Sequence, residues 1–396
     1  MSSGDLETTH TLLFYGANVN STNSIIIPCL NVAQVYVKCQ HPLVIAAELG
    51  NIPLVKLLLS KGADPNGLTT YKINNPIVGG TKVTRSIGPL HCAVQRKDRD
   101  LVKVLLLHGT RTDMKDRRGN TLLHLLCDEC DCYSRYNNNG YSTSPHQDCY
   151  EQGDMIKLLM SSCHTSKTLS MRNDDGYDPL DQVVLNGCIT RVQILLDAGA
   201  DPNLRDLKCF GSPLHVALCN RFYDIGEILV QHGSNLNQTN LWGDTPLAAH
   251  MLLPTGCSDT MNTMLIVHGA SLEVTARYQS LMTICIGRME KGWQEMCRLL
   301  FYAGCSMEEG YWQGPFDFAP SKEDEVCACL RTSRNNPHTL MDLSRIYIRK
   351  FLSEKVTNGR SIAGSVVKLP LPRLVQDHLL LKDLVDYNCF TNSSDI

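Results

Sequence analysis

The residues best suited to chemistry form one short run of metal-type donors, His124-x-x-Cys127-x-x-Cys130-x-Cys132. Imidazole nitrogen and thiolate sulfur are the ligands tetrahedral zinc prefers. The spacings are tight, and the four residues straddle a helix end and a loop. Incidental cysteines are therefore the expected reading, and no metal or cofactor is assigned. Three histidines, His91, His124 and His215, recur in one local setting, Pro-Leu-His or Leu-Leu-His. Gly79-Gly80 lacks the lysine and helix of a phosphate-binding loop, and Asp174-Asp175-Gly176 reads as a turn. Neither a nucleophile elbow nor a paired catalytic carboxylate setting is recognisable, so the chain is expected to be non-catalytic.

The elements carrying those histidines are repeated. In Gly211-Ser-Pro-Leu-His-Val-Ala-Leu, Ser212 is a helix cap. Pro213 takes the first helical position, where its missing donor costs nothing. Ile225, Ile228 and Leu229 share one face of a second helix, and Gly233 supplies the left-handed residue that ends it. So short a unit cannot bury its apolar face alone and must stack on copies. Copies end at Gly62, Gly109, Gly199, Gly233, Gly269 and Gly304. Leu54/Leu57/Leu58, Leu101/Val104/Leu105, Met261/Met264/Leu265 and Met296/Leu299/Leu300 precede their glycines at matching offsets, and one copy departs with Arg191. Openings recur at His41-Pro-Leu, Gly88-Pro-Leu-His, Thr121-Leu-Leu-His, Asp178-Pro-Leu and Thr245-Pro-Leu. This pattern resembles the ankyrin repeat, with its period of about 33 residues and T-P-L-H opening. The resemblance implies that His91, His124 and His215 tie a hairpin to a helix by hydrogen bonds.

Bulk properties narrow the function classes. The formal net charge is −3, which gives no electrostatic case for nucleic acid or an anionic membrane. A run of about 18 apolar residues, as a membrane span requires, is not found. The start, Met-Ser-Ser-Gly-Asp-Leu-Glu, lacks the basic-then-apolar layout of a signal peptide. The 18 cysteines are accordingly read as reduced thiols, and the expected location is cytoplasmic, with the nucleus as a second compartment.

Along the chain, residues 1–40 form an N-terminal segment with a partial repeat, Leu12 to Asn20, and an irregular stretch, 21–40, with an apolar patch at Ile25-Ile-Ile. About seven repeats follow over 41–304, with insertions at 67–87 and 127–153. The 133–148 part of the second insertion is expected to be a mobile surface loop, after which the repeat resumes at Met155. Insertions of this kind project from one face and often contact ligands. Residues 305–336 are a linker and 385–396 a tail.

Residues 337–384 change character. Leu340, Leu343, Tyr347, Ile348 and Phe351 have amphipathic-helix spacing, and Thr339 with Asp342 reads as a capping box. Downstream, Lys368-Leu-Pro-Leu-Pro-Arg-Leu-Val-Gln-Asp-His-Leu makes an extended approach to a further helix. These features resemble a SOCS box, a small three-helix module. The resemblance implies elongin C docking through Leu340, Leu343, Ser344, Tyr347 and Ile348, and cullin selection through Leu369, Pro370, Leu371, Pro372, Val375 and His378. Three positions depart from that pattern: Ser344 stands where cysteine is usual, Val375 where leucine is common, and His378 where tyrosine is usual.

The whole chain therefore resembles the ankyrin-repeat and SOCS-box family. The expected fold is all-α: an ankyrin solenoid of helix-turn-helix repeats with hairpin loops, followed by the box. The implied function is that of a substrate-recognition subunit of an elongin B/C–cullin–RING ubiquitin ligase, leading to substrate degradation. An ankyrin scaffold that sequesters a signalling partner without ubiquitylation is the alternative. Trp242 is read as packing rather than as a substrate contact, and the sequence does not name the substrate.

Overall fold

In the computed structural model, the residues described are 6–28, 35–75, 80–116, 118–128, 147–161, 165–204, 211–253, 259–273, 275–276, 279–286, 293–305, 340–369, 371 and 373–381. They fall into two compact units, Met1–Tyr133 with Pro145–Ala200, and Ser134–Ser144 with Asp201–Ile396.

The first unit holds α1 (Leu6–Phe14), α2 (Pro42–Leu49), α3 (Ile52–Ser60), α4 (Pro89–Gln95), α5 (Arg99–Leu107), α6 (Leu122–Asp128), α7 (Gln147–Met160), α8 (Thr165–Leu169), α9 (Pro179–Leu185) and α10 (Ile189–Asp197). Its repeats are the pairs α2/α3, α4/α5, α6/α7 and α9/α10, with α2, α4, α6 and α9 packed in succession. Proline starts α2, α4 and α9 after an N-cap residue in extended conformation. Two of the second helices are capped by side chains: for α3, Asn51 accepts from Leu54 N–H at 3.0 Å, and for α5, Asp98 accepts from Leu101 N–H at 3.0 Å. Leu43, Leu58, Leu101, Leu105, Leu122, Leu195 and their neighbours are wholly buried between the helices. Helix α7 begins at Gln147, eight residues before the resumption expected at Met155. The rest of the 127–153 insertion, from 129 to 146, lies outside the described residues.

This unit also contains a β-sheet that the sequence reading of 21–40 as irregular did not include. Strands β1 (Asn23–Pro28), β2 (Val35–Gln40), β3 (Thr69–Asn75) and β4 (Gly80–Ile87) pair antiparallel in the order β1-β2-β3-β4. The apolar patch and the 67–87 insertion thus form one sheet inserted into a helical array.

The second unit continues with α11 (Pro213–Cys219), α12 (Tyr223–Gln231), α13 (Pro246–Met251), α14 (Asp259–Val267), α15 (Leu281–Ile286) and α16 (Trp293–Ala303). A two-residue ribbon, β5 (Thr275–Ala276) with β6 (Gln279–Ser280), precedes α15. The helices pair as α11/α12, α13/α14 and α15/α16, and α11, α13 and α15 pack in succession. The C-terminal module follows as α17 (Leu340–Phe351), a π turn at Leu352–Val356, α18 (Ala363–Val367) and α19 (Arg373–Leu379). Residues 306–339 and 382–396, which include most of the expected linker and the tail, lie outside the described residues.

The expected helix stops are where the spacing placed them. Gly62, Gly109, Gly199, Gly233, Gly269 and Gly304 all have φ between 77° and 96°, a conformation that favours glycine over any residue with a Cβ. Arg191, the departure noted in the sequence, is fully buried and donates to the Leu126 carbonyl at 2.7 Å.

Candidate functional site

The recurrent histidines have a structural geometry. His215 Nε2 lies 3.0 Å from the Asp244 carbonyl, while its Nδ1 lies 3.1 Å from Ser212 N and 2.9 Å from Ser212 Oγ. A carbonyl can only accept, so Nε2 carries the proton and Nδ1 accepts. His124 repeats the arrangement, with the Tyr177 carbonyl at 2.9 Å and Thr121 N and Oγ1 at 3.2 and 2.9 Å. Each ring ties the start of one repeat to the hairpin of the next. With both nitrogens engaged, His124 has no lone pair left for a metal. Burial holds its pKa below the usual histidine value. Cys127 is buried, which pushes its thiol pKa far up, away from the thiolate a metal needs. Cys130 and Cys132 lie outside the described residues. The weak zinc candidate therefore loses its histidine to the fold.

The residues that the sequence marks for docking lie in the C-terminal module. Helix α17 is amphipathic, but its buried side is the one that carries arginines. Arg345 and Arg349, four residues apart and so on one helix face, are 2% and 6% exposed. Arg345 donates to the Tyr302 carbonyl at 3.1 Å, with its guanidinium 6.0 Å from the Tyr302 ring centre. Arg349 donates to the carbonyls of Ile266 and Val267 at the end of α14, and to Leu379 O at 2.6 Å. The last carbonyls of a helix lack intrahelical donors and carry partial negative charge, so cations satisfy them well. Burial and the neighbouring Arg345 lower the Arg349 pKa to about 9, which leaves it protonated at neutral pH.

The rest of the joint uses the helix stops. Ser353 Oγ donates to the Gly269 carbonyl at 2.9 Å, and Ile362 N–H donates to the His268 carbonyl at 2.8 Å. Leu236 N–H donates to the Gly359 carbonyl at 2.7 Å. A Cβ on Gly269 would lie 2.8 Å from Ile362 Cγ2, and one on Gly304 2.8 Å from Ile346 Cγ2. The module thus lies along the stops of α12, α14 and α16, fastened mainly to backbone atoms.

On α17, Tyr347 is 72% and Phe351 49% exposed, and Ile348 is half-buried. Leu340, Leu343 and Ser344 belong to the same helix, and their side chains lie outside the described residues. At the second predicted locus Leu369 and Val375 are half-buried and Leu371 is 37% exposed. Pro370, Pro372 and the His378 side chain lie outside the described residues. Gln376 organises this corner: its amide donates to the carbonyls of Leu369 at 2.9 Å and Leu371 at 3.1 Å.

Sequence reasoning missed Arg345, Arg349, Ser353 and Gln376. For the arginines the four-residue spacing on one face was the available clue; the others gave none. Trp242, read as packing, is 58% exposed beside Leu241 at 72%. Among the described residues, no group of three or more metal-type side chains could hold an ion, and no helix is long and apolar enough to cross a membrane.

Comparison with known families and proteins matches this architecture. Ankyrin repeats, in three copies, match residues 90–206, with further single repeats at 39–70 and 212–241. A SOCS box matches residues 336–380. Among curated proteins, the chain is similar to the mouse B-cell lymphoma 3 protein homolog, at 32% identity over 40% of this chain and 31% of that protein. It is also similar to the NF-kappa-B inhibitor cactus of Drosophila melanogaster, at 32% identity over 34% of this chain and 28% of the relative. The chain spans about a third or less of the length of the first curated relatives it matches. The crystal structure of the Bcl-3 ankyrin repeat domain is 26% identical and aligns over 62% of this chain and 93% of that one, with a TM-score of 0.43. Ankyrin repeats bind proteins, and a SOCS box implies an adaptor role in an elongin–cullin ubiquitin ligase; neither module is catalytic. With repeats followed by the box in a single chain, this is an ankyrin-repeat and SOCS-box protein.

Proposed function

We propose that this chain is the substrate-recognition subunit of an elongin B/C–cullin–RING ubiquitin ligase, with the repeats holding a protein substrate and the box recruiting the ligase. The observation that carries the reading is the orientation of α17: its arginine side is consumed by the repeats while Tyr347 and Phe351 stay exposed. An aromatic surface held outward by a buried polar side is suited to a docking helix. Leu340, Leu343 and Ser344, at seven, four and three residues before Tyr347, have the spacing to share it. The corner at Leu369–Leu371 then supplies the cullin contact.

Catalysis by this chain is not required. A tethered substrate faces the ubiquitin-charged enzyme at high effective concentration, and transfer follows from proximity. The cytoplasm and nucleus are the compartments we propose for it. Capture of elongin B and elongin C by the full chain tests the reading. Leu340→Ala removes an anchor expected to contribute about 2 kcal/mol, lowering elongin binding roughly thirtyfold; capture equal to that of the parent chain would sink the assignment. The sequestering alternative draws on the similarity to an NF-kappa-B inhibitor. Co-purification of a cullin, lost when residues 337–396 are deleted, separates the two.

A further inference from the structure

We infer that the outer edge of β1, unpaired among the described residues, is a strand-addition site for an extended, acidic peptide segment of a partner protein. The inference rests on the proposed role as a protein-binding receptor and names the chemistry of what would be held. Two stretches outside the repeat pattern, 21–40 and 67–87, come together as a single sheet whose edges are β1 and β4. Natural sheets protect their edges with charges and bulges. Edge β4 has both, with Lys82, Arg85 and a register shift opposite Tyr71/Lys72. Strand β1 reads Asn-Ser-Ile-Ile-Ile-Pro, without a charge, and pairs with β2 in unbroken register from Asn23↔Gln40 to Pro28↔Val35. Among the described residues, no strand pairs with its outer side. An edge strand presents unpaired N–H and C=O groups, and another extended backbone satisfies such a row. Pro28 sets one end of the available register.

Charge selects the peptide. The four strands contain Lys38, Lys72, Lys82 and Arg85 and no aspartate or glutamate, in a chain whose net charge is −3. The register aligns Ile25, Lys38, Tyr71 and Arg85 in one row, and Ile27, Tyr36, Ile73 and Lys82 two residues along. Residues two apart share a face. An added strand would therefore have isoleucine positions as its nearest cross-strand neighbours and a lysine position one strand further, about 10 Å away. A segment alternating apolar and acidic residues fits that order, with backbone pairing for affinity and side chains for selection.

The test uses the purified full chain and a fluorescent peptide alternating Glu and Val. Two further peptides carry N-methyl groups on odd or on even amides, and oligo-deoxythymidine of equal charge serves as a plain polyanion. The expected results are binding of the parent peptide, weakening with salt, and at least a tenfold loss for one methylated peptide but not the other. Lys38→Glu with Arg85→Glu is expected to lower affinity at least tenfold. If that pair disturbs the circular dichroism, Lys38→Gln with Arg85→Gln replaces it. The inference is overturned if the parent peptide does not bind, if both methylated peptides bind like it, or if the oligonucleotide binds as well. Elongin capture measured on the same protein reports on the receptor reading independently, since it does not involve β1.

Discussion

Ser353 donates its hydroxyl to the carbonyl of Gly269 at 2.9 Å, closing the end of α17 on the residue that stops α14. Gly269 has φ +96° and no room for a Cβ beside Ile362, whereas Gly62, at φ +84°, has nothing within 4 Å. Alanine at either stop costs about 1–2 kcal/mol for the left-handed backbone. Gly269→Ala is expected to cost at least about 1 kcal/mol more than Gly62→Ala, because the box must shift as well. Denaturant unfolding of the two variants checks this; equal losses would mean that Ile362 does not pack there.

The two kinds of charge on α17 are expected to behave differently. Arg349→Leu leaves buried carbonyls of Ile266, Val267 and Leu379 short of a donor, costing about 3 kcal/mol. Lys350 pairs with Glu273 at 2.6 Å with both side chains about half-exposed, and Lys350→Ala is expected to cost less than about 1 kcal/mol. Comparable unfolding midpoints would contradict the buried-arginine joint.

Acid should loosen the same joint through His268, which burial and the Arg349 charge hold at a pKa of about 4. The unfolded chain binds this proton below about pH 6.5, while the folded chain does so only near pH 4. Stability is therefore independent of this group above pH 6.5 and falls as the pH drops from there towards 4, by up to about 3 kcal/mol. His268→Asn, measured by unfolding across that range, is expected to flatten part of the acid slope.

Tyr347, largely exposed, separates docking from folding. Tyr347→Ala is expected to leave the melting curve within about 0.5 kcal/mol of the parent while lowering elongin affinity at least about tenfold, or 1.4 kcal/mol. A large loss of stability with unchanged capture would reverse the assigned roles of the two sides of α17.

Gln376 acts through the Leu369–Leu371 corner, which makes it a positioning residue. Gln376→Leu is expected to lower cullin affinity by about tenfold and leave elongin affinity unchanged. Parallel titrations with each partner distinguish this from general unfolding of the box, which would reduce both.

What the sequence revealed follows the range of the interactions involved. Gly233 and Pro213 act on their own helices, so the start and stop of each repeat could be read from local pattern. His215 and His124 form their bonds across one repeat, and the recurrence of their setting made that legible too. The sheet was not legible: β2 and β3 are separated by a complete repeat, and Ile25-Ile-Ile carries no mark of which strand it meets. Arg345 and Arg349 offered only their four-residue spacing, which does not name a partner. Their partners are main-chain carbonyls of α14, α16 and α19, and a carbonyl looks the same at every position of a sequence. Only packing shows that those helix ends point at α17.

That anonymity has an evolutionary consequence. The C-terminal module is bolted mainly to atoms every amino acid possesses, so outward-facing side chains of the array can change without removing those bonds.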